Sequence, residues 1–506
     1  MSIQTLISEF DKKFWCTNIM ELVERWAYYG VRMILSIYIV SAASLGGLEF
    51  THIQKGEIYS GWALIQSILP ILVGGYPDRF GYKKTISFAI ILKIIGYVLM
   101  ATQTSFPGFF AGCLLLAAGT AIFKPAVQGV LASSLDKKTS SLGWGIFYWL
   151  INVGGFMGPW LAGYLRILDW KYVFYGNALI VSLNFIMLFI CPPLPREAQS
   201  VGSTFVQQSI SFFKLPLKIL KEMFSPALIS FLLIYSGFWM MYYQIFDLLP
   251  NFIDDWVDSS GLLLGLGKTF NVASWIEAGS QGKQIPPEWL ISLNTGTIIL
   301  LMIPTSWIFR KVNPFVSMVV GIVVTLLGML IFGSSQLVTL CAVGIVIFSI
   351  GEMGASPRMR EYLGLIAPPD KKAQYMGYAN LPEAIGWGFG SLVAGYWYEV
   401  HSDKHNLAKQ FLLQKLNWSQ EAIKALSKEE ILPSLASALN LSQNQLTKTL
   451  WNYAHPEKIW YWFIFIGLGT AFGLVIHYYL IPNKFKLKEE PSNQNPQQEN
   501  ILKAEV

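Results

Sequence analysis

The stretch Glu21-Leu-Val-Glu24-Arg25-Trp-Ala-Tyr28-Tyr29-Gly-Val-Arg32 places two carboxylates, two guanidinium groups and two phenols within a few helical turns. Such groups exchange protons and hold anions, and their spacing decides whether they act together. At about 100° of turn per residue, Glu21, Glu24, Arg25, Tyr28, Tyr29 and Arg32 fall on one stripe about 140° wide, with Val23, Trp26 and Val31 outside it or at its margin. The surrounding run is long and apolar enough to cross a membrane. A charge at bilayer depth costs roughly 2.5 kcal/mol or more, so the stripe faces a wet cavity or pairs internally, and such residues often mark an ion or substrate path. A structural ion pair would account for one Glu-Arg couple but not for a second of each on the same face.

The elements that carry this stripe follow from composition. Of 506 residues, 53% are hydrophobic, 15% aromatic and only 13% charged, against about 25% charged in soluble domains. Apolar stretches of roughly 20 residues recur about twelve times, near 16–42, 55–75, 84–103, 107–132, 142–166, 171–192, 226–248, 288–309, 314–335, 337–362, 374–398 and 457–481. A soluble core is excluded, and the expected fold is an all-α polytopic membrane protein. The net charge of +6 does not call for nucleic acid, because the lysines and arginines cluster in alternate connections: Lys12 and Lys13, Arg79 to Lys84, Lys137 and Lys138, Lys214 to Lys221, Arg310 and Lys311, Lys371 and Lys372, Lys484 to Lys488. The positive-inside rule puts these connections and both termini in the cytoplasm. The N-terminus carries no signal-peptide pattern.

The four cysteines are scattered and the five histidines sit in loops or near span ends, so no metal site, disulfide or cofactor is expected. No Ser/His/Asp set or nucleotide loop points to an enzyme. Any proton step falls to carboxylates.

The two halves echo each other. Pro125, Asp136-Lys137-Lys138 and Leu161-Ala162-Gly163-Tyr164 recur in order as Pro357, Asp370-Lys371-Lys372 and Val393-Ala394-Gly395-Tyr396. This implies a parallel duplication of six spans, two pseudo-symmetric six-helix bundles sharing a site near the midplane. Lys124 and Glu352 then lie on pseudo-equivalent helices near matching prolines, so the bundles present opposite charges to a shared cavity. A zwitterion fits between such poles.

The loop Gly74-Gly-Tyr-Pro-Asp78-Arg79-Phe-Gly-Tyr-Lys-Lys84 resembles the Gly-x-x-x-Asp-Arg-x-Gly-x-x-Lys signature of the major facilitator superfamily, and suits a cytoplasmic gate. The second half keeps only Arg310 and Lys311 there. Within that superfamily, Glu21 to Gly30 resembles the Glu-x-x-Glu-Arg-Phe-x-Tyr-Tyr-Gly motif of the proton-dependent oligopeptide transporter family, with Trp26 for Phe. Phe123-Lys124-Pro125, Phe147-Tyr148-Trp-Leu-Ile151-Asn152-Val-Gly154, Phe238-Trp239 with Gln244, Ser292-Leu-Asn294, and Gly351-Glu352 with Ser356-Pro357 resemble further family segments in order.

The resemblance implies a cationic pole of Arg25, Arg32 and Lys124 for a substrate carboxylate, with Glu352 receiving an amino terminus and Tyr29, Asn152, Gln244 and Asn294 lining the site. It implies proton coupling through Glu21, Glu24, Arg25, Lys124 and Glu352, where substrate and proton compete for the same charged partners. Asp78, Arg79, Arg358, Arg360 and Glu361 are the expected gate residues. The last three, where the family is usually apolar or small, are expected to face the inner vestibule. Tyr378-Ala-Asn380-Leu-Pro-Glu383 replaces the family's aromatic wall and changes the pocket. Asp247 is a candidate partner for Arg32 at an outer gate.

The expected organisation is an N-terminal bundle at 1–192, a cytoplasmic linker at 193–225 and a C-terminal bundle at 226–482. The second bundle holds an extracytoplasmic insertion of two or three helices at 399–456, where Ser427-x-x-Glu430 and Ser442-x-x-Gln445 are capping boxes. A disordered cytoplasmic tail follows at 483–506. The expected function is a proton-coupled symporter importing di- and tripeptides by alternating access. The alternative is a proton-linked transporter of another small organic solute, such as an amino acid, organic anion or drug-like compound. The expected partners are a small zwitterion, protons and the lipid bilayer, for a monomer in the cell membrane.

Overall fold

The computed structural model describes residues 10–136, 139–192, 226–262, 277–279, 282–309, 312–367, 375 and 377–480. The expected linker and tail, and the loop lysines at 137–138, 311 and 371–372, lie outside them. The long helices are α1 (Lys12–Arg32), α2 (His52–Val73), α3 (Tyr82–Thr102), α4 (Phe106–Ser133), α5 (Ser140–Leu168), α6 (Trp170–Ile190), α7 (Pro226–Tyr242), α8 (Pro287–Phe309), α9 (Pro314–Gly333), α10 (Val338–Ile366), α11 (Asn380–His401), α12 (Lys404–Lys415), α13 (Lys428–Leu439), α14 (Gln443–Ala454) and α15 (Lys458–Leu480). A short antiparallel hairpin, β1 (Glu277–Gly279) with β2 (Gly282–Gln284), precedes α8.

Among the described residues, nine helical segments are long and apolar enough to span a bilayer, α7 counting with its continuation to Asp247. Helices α1, α5 and α11 reach similar lengths and carry much of the polar lining described below. With them the described residues have the expected multi-pass helical membrane architecture, the short hairpin aside. Large apolar side chains on the flanks, such as Phe189, Leu300, Ile303, Phe465 and Phe472, are exposed, as a lipid-facing surface requires.

Helices α1–α6 share buried cores that include Val31, Trp62, Phe109 and Phe174 towards one end and Ile90, Phe123 and Phe147 towards the other. Helices α7–α11 and α15 pack around Phe238, Trp256, Phe332, Phe348 and Trp460. The two sets meet most closely where α2 crosses α11. A Cβ on Gly395 would lie 2.3 Å from the His52 carbonyl oxygen and 3.2 Å from Gly56 Cα, so only glycine permits this approach.

Two helices break at the end of the molecule that carries the insertion. After α1 the chain turns at Met33–Ile34 and resumes as Leu35–Val40, and after α7 it continues as Gln244–Asp247 and Leu249–Trp256. Backbone groups released by such breaks need partners at membrane depth. Lys55 Nζ donates to the Asp247 carbonyl at 3.0 Å, and Asn251 Nδ2 to the Ser36 carbonyl at 3.0 Å.

The insertion contains α12, the short helix Gln420–Lys424, α13 and α14. Both capping boxes form, Ser427 with Glu430 and Ser442 with Gln445. Leu407, Leu412, Ile431, Leu435, Leu446 and Leu450 bury against the core of the second half. The insertion also reaches the first half: Lys428 Nζ donates to the Val40 carbonyl at 2.6 Å, and His52 Nε2 lies 3.0 Å from Asp403 Oδ2.

Candidate functional site

A cavity of about 860 Å³ lies between the two halves. It runs from Arg32 on the insertion side to Trp144, Arg360 and Gly377 towards the opposite end. Of the expected site residues, Glu21, Arg25, Tyr29, Arg32, Lys124, Asn152, Asn294 and Glu352 all line it. The α1 stripe therefore faces the interior and brings its charges together there.

Arg25 Nε pairs with Glu21 Oε1 at 3.2 Å and with Glu24 Oε2, and its guanidinium lies 5.0 Å from the Tyr28 ring centroid. Glu24 is fully buried and stands behind the cavity wall, where its other oxygen pairs with Lys93 of α3. Lys93 is absent from the sequence-derived set. Its signal was a lone cation inside the apolar run Ile90 to Tyr97.

Across the cavity, Glu352 Oε1 accepts from Tyr242 OH at 2.7 Å and Oε2 from Asn294 Nδ2 at 2.8 Å. Asn294 also donates to Ser349 Oγ at 3.0 Å. Neutral donors thus hold this carboxylate, and Lys124 lines the same cavity. Among the described residues, Lys124 has no ion pair within 4 Å. Lys124 shares the cavity wall with Glu383 of α11.

Glu383 also lines the cavity. It accepts from Tyr243 OH at 2.6 Å and has Arg360 Nη2 at 3.7 Å. Tyr243 is fixed by stacking on Trp387, with centroids 4.2 Å apart and planes 8° from parallel. Where the family has an aromatic wall, α11 therefore supplies a carboxylate, with Arg360 of α10 as its counterion.

Gln244 does not line the cavity in this conformation. The break after α7 turns its side chain inward, where Nε2 donates to the Met240 carbonyl at 2.7 Å beside Gly390 of α11. Of the expected gate residues, Arg360 reaches the cavity, while Arg358 pairs with Glu361 at 2.5 Å. Asp78 accepts from Tyr82 OH, and the Arg79 guanidinium lies 5.2 Å from the Phe80 ring centroid, both at the end opposite the insertion.

At the insertion end the cavity is closed. Arg32 pairs with Asp247, whose Oδ2 accepts from Ser391 Oγ at 2.7 Å and from Trp387 Nε1 at 3.1 Å. The Arg32 guanidinium lies over the Tyr59 ring, 4.4 Å from its centroid. Beside this lock, Arg166 of α5 pairs with Glu288 of α8 at 2.8 Å, with Trp160 stacked on Trp289 at 4.6 Å. The sequence reading did not include the Arg166–Glu288 pair. At the opposite end, the exposed Trp144, Tyr148 and Lys124 mark where solvent enters.

Among the described residues this arrangement can hold a solute of mixed charge between the Glu352 carboxylate on one side and the Arg25 guanidinium and Lys124 ammonium on the other. Comparison with known proteins gives the superfamily. The Major Facilitator Superfamily profile matches residues 22–390. The peptide transporter YePEPT of Yersinia enterocolitica subsp. palearctica is 22% identical over 444 residues, covering 74% of this chain and 86% of that protein. The multidrug resistance protein MdtH of Proteus mirabilis is 22% identical over 359 residues, 70% of this chain and 78% of its own. The crystal structure of a peptide transporter POT in complex with sulfate shares the fold, with a TM-score of 0.65 at 17% identity over 95% of this chain and 96% of that one.

Proposed function

Because the chain belongs to the major facilitator superfamily, we propose that it stands on the proton-dependent oligopeptide transporter branch and is a proton-coupled importer of small zwitterions, di- and tripeptides first, a reading that its similarity to YePEPT and to the POT fold supports. The observation that carries this reading is the division of the cavity between Arg25 and Lys124 on α1 and α4 and Glu352 on α10. A peptide's carboxylate goes to the first pole and its ammonium to the second. Tyr29, Asn152 and Asn294 supply the polar lining between them.

With the termini in the cytoplasm, the conformation described is inward-facing: locked at the outer end by Arg32 and Asp247, and open on the side of Trp144 and Arg360. Alternating access needs contacts that differ in energy between states. A substrate carboxylate that takes Arg25 from Glu21 leaves that carboxylate without its counterion, and a proton replaces it. Substrate release towards the cytoplasm reverses the exchange. Asp78, Arg79, Arg360, Arg358 and Glu361 belong to the inner gate.

A second reading, transport of another small organic solute, is favoured by one feature. Glu383 with Arg360 adds a pair of charges that a peptide backbone does not use, and MdtH is among the similar proteins. Uptake of a labelled dipeptide into proteoliposomes under an inside-alkaline gradient separates the two. Concentrative uptake, competed by unlabelled peptides and lost in Glu352→Gln, supports the peptide reading. Absence of uptake and of competition by a folded protein supports the second.

A further inference from the structure

Glu21 and Glu24 have looked equivalent, two carboxylates on one stripe beside one arginine, but the structure places them differently. Glu21 and Arg25 line the cavity and Glu24 and Lys93 do not, although Glu21, Glu24 and Lys93 are all fully buried. Glu24 is held on both oxygens, by Arg25 Nε and by Lys93 Nζ.

The lodging for Lys93 is built by its neighbours. A Cβ on Gly119 of α4 would lie 2.6 Å from Lys93 Cγ, so the glycine makes room for the lysine stem. The ammonium sits 5.3 Å from the Phe123 ring centroid, a contact that favours a cation. A buried carboxylate deprived of its partner carries an uncompensated charge.

We propose that Lys93 is a positioning residue that keeps Glu24 permanently paired, leaving Glu21 as the carboxylate that exchanges Arg25 for a proton. This rests on the proton-coupled reading above. Among the described residues, the charged and titratable groups around the exchange are Glu21, Glu24, Arg25, Tyr28 and Tyr29 of α1, Lys93 and Tyr97 of α3, Lys124 of α4 and Tyr148 of α5. The inward polar side chains of α6 are the amides Asn177 and Asn184.

The step balances. The proton that Glu21 takes comes from the side with higher proton activity, and Arg25 passes to the substrate carboxylate. On substrate release Arg25 returns and the proton leaves to the other side. Glu24 and Lys93 keep their charges throughout.

The test compares Glu21→Gln, Lys93→Met, Lys93→Arg and the double variant Glu24→Gln/Lys93→Met in proteoliposomes. Each is assayed for gradient-driven dipeptide uptake and for counterflow exchange, which needs no net proton movement. Glu21→Gln is expected to keep counterflow and lose gradient-driven uptake. Lys93→Met is expected to lose gradient-driven uptake at least tenfold, with Lys93→Arg retaining it. The double variant, which removes both charges, is expected to recover uptake to within about threefold of the original protein.

A double variant with counterflow only, or an unimpaired Lys93→Met, overturns the proposal. If the unmodified protein takes up no dipeptide, the proton-coupled peptide reading fails by itself, and the division of labour is read without substrate. Infrared difference spectra between pH 5 and pH 8 then carry the test. A protonating carboxyl band lost in Glu21→Gln and kept in the double variant upholds it, and the reverse pattern refutes it.

Discussion

Arg32 of α1 and Asp247, in the short helix after α7, form an ion pair buried on both sides. It joins the two halves at the insertion end of the cavity. Trp387 and Ser391 of α11 donate to the second Asp247 oxygen, so one carboxylate ties together elements from α1, α7 and α11.

Removing one member of a buried pair leaves the other charge uncompensated, at roughly 3–5 kcal/mol. Asp247→Asn is therefore expected to weaken closure of this end. Labelling of a cysteine placed at Val40 should become faster from the outside, and gradient-driven uptake should fall at least tenfold. Unchanged labelling would show that Arg32 and Asp247 do not form the lock.

Glu352 is held by two neutral donors, Tyr242 and Asn294. A hydrogen bond to a charged group contributes about 1.5–3 kcal/mol, and about 1.4 kcal/mol is a tenfold change in affinity. Tyr242→Phe keeps the ring that stacks on Phe238 and Phe348 and removes only the hydroxyl. The half-saturating dipeptide concentration is expected to rise about tenfold or more, with the protein folding normally. An unchanged value would mean that Glu352 does not receive the substrate.

Arg166 and Glu288 are both buried and join α5 to α8. Breaking such a pair costs more than replacing it whole by apolar side chains, which is often neutral or stabilising. Glu288→Leu alone is expected to lower the unfolding temperature in detergent clearly, and Arg166→Met with Glu288→Leu to restore most of it. Equal losses in the single and double variants would count against a pairwise origin.

The spans were legible in the sequence because a membrane helix declares itself through length and apolarity alone, and the α1 stripe because its residues are close in sequence. Partners from distant segments were legible only where a charge interrupts an apolar run. That signal was read for Lys124 and Glu352 but not for Lys93, Arg166 or Glu288. Periodicity places a side chain on a face without fixing the rotation of its helix against the next. Pseudo-symmetry therefore set Lys124 and Glu352 on one cavity, but gave no sign that Tyr242 would hold the carboxylate. Gln244 was lost from the lining for a local reason, because the chain breaks after Tyr242 and the face presented to the cavity changes there.

The insertion offers a pH test outside the membrane spans. Burial lowers the His405 pKa to about 4 despite the opposing pull of Asp403, so the folded protein keeps this imidazole neutral where the unfolded chain, near the ordinary value of 6.5, would already take a proton. Its contribution to stability is therefore present above pH 6.5 and lost as pH falls from 6.5 through 4. Asp255 works in the opposite direction throughout this range, since burial raises its pKa to about 8. The effect of His405 is accordingly read as a difference between proteins. Thermal unfolding in detergent between pH 7 and pH 4 is expected to show a smaller acid loss in His405→Asn than in the unmodified chain. Parallel curves would mean that His405 is already protonated, or solvated, in the folded insertion.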